Sequence, residues 1–69
     1  MRENVENLRK MYTHGKKVKL IHMDDPYPLP EGITGTVNNV DDAGVIHVYW
    51  KNGSTLGLLP DIDLFEVIE

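Results

Sequence analysis

The sequence predicts a mainly β fold: one small, strongly bent barrel of five strands, preceded by a single α-helix. Three observations carry that prediction. The apolar period changes at Lys16 from a spacing of three and four to strict alternation. Turn signals then punctuate the chain at Asp41-Asp42-Ala43-Gly44, Lys51-Asn52-Gly53 and Pro60-Asp61-Ile62-Asp63. Finally, five short strands in an open sheet would leave edges for other chains to pair with, and closure removes them.

Each element has its own signal. Val5, Leu8, Met11 and Tyr12 form one stripe of an amphipathic helix over about residues 3–12, ending near His14-Gly15. A helix this short is marginal in water, so its stripe is expected to dock on the rest of the domain. From Lys16, Val18 and Leu20 alternate with Lys17 and Lys19, a half-buried strand with a charged outer face. Residues 23–32 follow, and Pro26, Pro28 and Pro30 remove three backbone donors, so this is a stiff loop. A second strand covers residues 33–40, with Gly35 marking a bulge or a close backbone approach. A third covers 45–50 and is rich in β-branched and aromatic residues; Asn52-Gly53 then reverses the chain into a fourth at 54–59. A short closing strand covers 64–68.

The expected core is Val18, Leu20, Val37, Ile46, Val48, Leu56, Leu58 and Phe65, with Trp50 closing one end. All 69 residues read as one domain, with the helical part at 1–14 and the barrel at 15–69.

Composition excludes whole classes of function. With 41% apolar and 26% charged residues, the chain is globular rather than disordered. It has no cysteine, which removes disulfides, thiolate metal sites and cysteine nucleophiles together. No apolar run approaches a membrane span and the first residues lack a secretory pattern, so the expected location is the cytoplasm, away from membranes. Net charge is −4, which works against non-specific nucleic-acid binding. The charge is uneven, however: six of the seven basic residues fall in positions 1–20, and Lys51 stands alone beyond them.

The run Gly15-Lys16-Lys17-Val18-Lys19-Leu20-Ile21-His22-Met23-Asp24-Asp25-Pro26-Tyr27-Pro28-Leu29-Pro30, then Gly32-Ile33-Thr34-Gly35-Thr36-Val37, Ile46-His47-Val48-Tyr49-Trp50 and Asn52-Gly53-Ser54-Thr55-Leu56-Gly57, resembles an uncharacterised bacterial and phage family catalogued as domain of unknown function 4314. The resemblance runs from Leu8 to Val67. Lys51 departs from it, standing where the family usually carries an acidic residue. A weaker similarity extends to SH3-like barrels with a Gly-x-Val strand and a Trp-x-Asn-Gly hairpin, which implies an SH3-like β-barrel here. That is a likeness of fold, and one fold serves many functions.

The residues that carry chemistry elsewhere have plainer roles here. His22, Asp24 and Asp25 would need a third converging ligand to hold a metal, and Asp25 ahead of Pro26 suits a turn. Ser54 follows Asn52-Gly53, where a hydroxyl caps a turn, and it lacks the context of a nucleophile. The glycines lack phosphate-loop spacing. The chain therefore reads as a non-enzyme without a cofactor or bound metal.

The leading expectation is a protein- or peptide-binding module whose face combines Asp24, Asp25, Tyr27 and Leu29 of the proline-rich loop with Tyr49, Asn52 and Ser54. The alternative is an accessory nucleic-acid binder using Arg9, Lys10, Lys16, Lys17 and Lys19. The competing structural account makes the loop a stiff crossover whose Tyr27 packs on the barrel end, and makes the lysines a solvated edge.

Overall fold

A computed structural model describes residues 5–69 of the chain. The element order is α1 (Val5–Met11), β1 (Lys17–His22), β2 (Thr34–Val40), β3 (Ile46–Trp50) and β4 (Leu64–Val67). All four strands form one antiparallel sheet in the order β3-β2-β1-β4.

The sheet corrects the barrel expectation: it has four strands, not five, and it does not close. The segment at 54–59 pairs with the sheet only through an isolated bridge, Ile46 to Leu58, and a turn bond from the Trp50 N–H to the Ser54 carbonyl at 3.1 Å. The reason is where its backbone groups go. The Trp50 indole N–H donates to the Leu56 carbonyl at 2.7 Å, and the Ser54 hydroxyl accepts from the Leu56 N–H at 3.2 Å. Side chains thus satisfy the groups that a ladder would have used, and the segment runs as an ordered loop.

Helix α1 is seven residues long and cannot be stable alone. It docks on its own domain: Val5 is buried, and Leu8 and Tyr12 pack on the core. The Tyr12 ring meets Phe65 with centroids 5.4 Å apart, tilted by 57°. Arg9 Nε donates to the Val40 carbonyl at 3.1 Å, fastening the helix to the end of β2. Predicted residues 3 and 4 lie outside the described residues. The helix stops at Met11 rather than near Gly15; Gly15, at φ 94°, instead turns the chain between Thr13 and Lys16. Met11, placed on the buried stripe by its spacing, is exposed.

The core is built from one face of the sheet. Val18, Leu20, Val37, Val40, Ile46, Val48 and Trp50 are buried with Leu58, and Met23 and Leu29 of the long loop fold over them. Trp50 is therefore core. Two expected members fall short: Phe65 is only partly buried, and Leu56 is exposed because its backbone, rather than its side chain, is fastened down. Each fully buried Leu, Ile or Val contributes roughly 1.5–3 kcal/mol relative to exposure. Asp63 is the buried acid: its Oδ1 accepts from the Asp24 N–H at 3.0 Å and its Oδ2 from the Leu59 N–H at 2.9 Å. One carboxylate so ties the start of the long loop to the turn before β4.

Candidate functional site

The proline-rich loop is anchored at both ends by side chains in the core, Met23 and Leu29. Leu29 is thus a packing residue and is withdrawn from the expected binding face; the prolines on either side of it carry no backbone donor to leave unsatisfied. Asp24 holds its place through the bond from its N–H to Asp63. Asp25 Oδ1 accepts from the Tyr27 N–H at 2.8 Å, the turn role its place before Pro26 implied. His22 Nδ1 lies 3.0 Å from Glu31 Oε2, an exposed pair across the loop's base. Among the described residues no three His, Asp or Glu side chains are grouped to hold a metal ion. What remains projecting is Tyr27, 88% exposed between Pro26 and Pro28.

Asn52 and Ser54 are spent on the hairpin. Asn52 Oδ1 accepts from the Ser54 N–H, and Ser54 Oγ accepts from Leu56. The Ser54 hydroxyl has no histidine beside it among its bonded partners.

The outer face of the sheet is organised differently. With Ile46, Val48 and Trp50 turned inward, His47 and Tyr49 face out, and Tyr49 is 57% exposed. Register places Lys17 opposite Thr36 and Thr36 opposite Tyr49, in one row across three strands. The next row runs from Glu66 to Lys19 to Thr34, and the Lys51 N–H continues it by donating to the Thr34 carbonyl at 3.0 Å. Lys17 Nζ donates to Thr36 Oγ1 at 3.0 Å. A shallow depression of about 230 Å³ lies among Lys17, Thr34, Thr36 and Lys51. Sequence spacing had left Lys51 out of the basic group, because only strand register brings it beside Lys17.

The basic set does not form one face. Arg9 is committed to the Val40 carbonyl and to Asp42 Oδ1, Lys10 sits on the helix, and Lys16 is half-buried before β1. Only Lys17 and Lys19 share a surface.

A second concavity, unforeseen in the sequence, lies between α1 and the turns at 43–44 and 59–62. It encloses about 330 Å³ and is lined by Leu8, Met11, Leu59, Pro60 and Ile62, with Asn7 and Asp61 on its rim. Met11, Leu59 and Ile62 are 56%, 41% and 51% exposed, a concentration of apolar surface in water. The i, i+3 pair Leu8 and Met11 held the signal, but the helix stripe absorbed it as core.

The turn beside this groove is stiffened by Asp41. Its Oδ1 accepts from the Ala43 and Val45 N–H groups, and its Oδ2 lies 2.8 Å from His47 Nε2. The hydrogen bond with His47, then that from Val45, holds the Asp41 carboxyl below the ordinary carboxylate range.

The chain belongs to the family described as Domain of unknown function (DUF4314), whose model matches residues 1–68. No curated protein and no solved structure matches it.

Proposed function

We propose that this DUF4314 domain is a non-catalytic protein- or peptide-binding module, and that the groove beside α1 receives an apolar side chain of the partner. One observation carries the reading: Met11, Leu59 and Ile62 stay half-exposed around a concave surface in a domain with little apolar surface to spare. Covering them would recover about 25 cal/mol for each Å² removed from water. Asn7 and Asp61 supply the polar rim that fixes the orientation of such a ligand. Tyr27, on its proline-braced loop, is a further aromatic anchor whose ordering in the complex costs little.

Selection of peptides from a random display library on the immobilised domain tests this. Enriched peptides are expected to share an apolar anchor and to lose at least tenfold in affinity on Ile62→Glu, a surface change that leaves the amide spectrum folded. Peptides that bind Ile62→Glu as tightly as the wild type, or no enrichment at all, would overturn the groove as the site. A parallel Tyr27→Ala variant separates the loop's contribution.

A further inference from the structure

We infer that the outer face of the sheet is a second, separate site that binds single-stranded nucleic acid, stacking a base on Tyr49 and pairing phosphates with Lys17, Lys19 and Lys51. This goes beyond the groove: it uses other residues, on the opposite side of the sheet from the core, and a different chemistry.

Charge is segregated by the fold in a way that the net value of −4 conceals. Across the four strands, Glu66 is the sole acidic residue; of the other described acids, Glu6 lies in α1 and the rest stand in loops, turns and the C-terminal end. The strands and the turn after β3 meanwhile bring Lys17, Lys19 and Lys51 to one surface. Lys19 and Lys51 make no side-chain hydrogen bond or ion pair among the described residues, so both ammonium groups are available. Two acids stand beside them: Glu66 lies opposite Lys19, and Glu69 lines the depression together with Lys17 and Lys51, so three lysines face two carboxylates.

The shape and the remaining side chains select the kind of polyanion. Neighbouring positions across the strands lie about 5 Å apart, and alternate positions along one strand about 7 Å apart. Tyr49, Thr36 and Lys17 therefore form a line that an extended polymer could follow. The face is the outer side of an antiparallel sheet, and among the described residues it presents no helix to enter a duplex groove. An exposed ring stacks on a base only when the base is unstacked, which favours a single strand. Thr34 and Thr36 add hydroxyls between the lysines, suited to phosphate or sugar oxygens. An acidic peptide would engage the lysines but leave Tyr49 without a stacking partner.

Fluorescence anisotropy with labelled single-stranded DNA and RNA of about ten nucleotides tests the proposal, at about 50 mM salt and then upward. Three phosphate contacts predict a slope of log K against log salt of about −2. Tyr49→Ala is expected to weaken binding about tenfold or more. K17E/K19E/K51E is expected to abolish it, while Ile62→Glu and Tyr27→Ala leave it unchanged. Amide shifts should centre on Thr34, Thr36, Tyr49 and Lys51, with the folded spectrum kept in each variant. No binding at millimolar protein, equal binding of poly-glutamate, binding indifferent to Tyr49→Ala, or shifts confined to Arg9 and Lys10 would each overturn it. Because the variants are disjoint, failure here leaves the groove reading standing, and the reverse holds too.

Discussion

At the scale of single residues, the acids of this chain divide by the hydrogen bonds they accept. Asp63 is 5% exposed, and both its oxygens accept backbone N–H groups, from Asp24 and Leu59. Removing an acceptor leaves a part-buried N–H unsatisfied, at up to about 1–3 kcal/mol for each group. Asp63→Asn preserves shape but turns an amide NH₂ toward one of those donors. It should therefore destabilise by about 1–3 kcal/mol in urea unfolding, and Asp63→Ala by more, since both bonds are lost. An Asp63→Asn variant as stable as the wild type would show that the clamp contributes nothing. Nothing in the sequence separated Asp63 from Asp61, which occupies the same turn and is exposed. What distinguishes them is a partner 39 positions away in the chain, and spacing carries no trace of that.

Among the elements, β2 and the edge strand β3 are set by a close approach. A Cβ on Gly35 would lie 2.6 Å from a Val48 methyl, 2.8 Å from the Tyr49 carbonyl oxygen and 2.9 Å from the Trp50 ring. Because one of these neighbours is backbone, rotamer changes cannot relieve the clash. Gly35→Ala should cost about 1–3 kcal/mol as overpacking and shift the amides of β2 and β3 together. Unchanged thermal stability would mean that the strands can part at no cost. This close approach was legible, since a glycine inside an alternating strand announces it. So were α1 and the four strands, because each carries its own periodicity or turn chemistry. The absence of a strand at 54–59 was not, because Thr55 and Leu56 read as strand while the Trp50 and Ser54 side chains capture the backbone of Leu56. Propensity is local, and that competition is tertiary. The same limit hid Leu29, which is buried with strand residues far from it in the chain.

For the whole molecule, the open sheet is stabilised by what is laid over its inner face, with a radius of gyration of 11.0 Å, about that of any compact domain of this length. Helix, loop and the turn between β2 and β3 must hold together, and Asp41 links that turn to β3 through His47. Since the folded Asp41 pKa lies below its ordinary value of 3.8, the unfolded chain binds this proton more readily. The contribution is thus fully present above about pH 5, declines as pH falls through the folded pKa, and is absent below both values. His47→Ala removes the largest cause of the shift. Urea unfolding at about pH 6 should therefore show the variant less stable than the wild type, with the gap closing toward about pH 2. Carbon-detected titration should show the Asp41 carboxyl moving up toward its ordinary value in the variant, though not fully, because the Val45 N–H still donates to it. A gap that stays constant with pH would assign the effect of His47 to packing rather than to its bond with Asp41. The two proposed sites separate under the same logic. His47 and Tyr49 stand two positions apart on one outer face, but His47→Ala is expected to loosen the turn beside the groove, where Asp41 is bonded to His47, without shifting the Lys17, Thr36 and Tyr49 row. Peptide affinity should then respond to His47→Ala while affinity for a single strand does not.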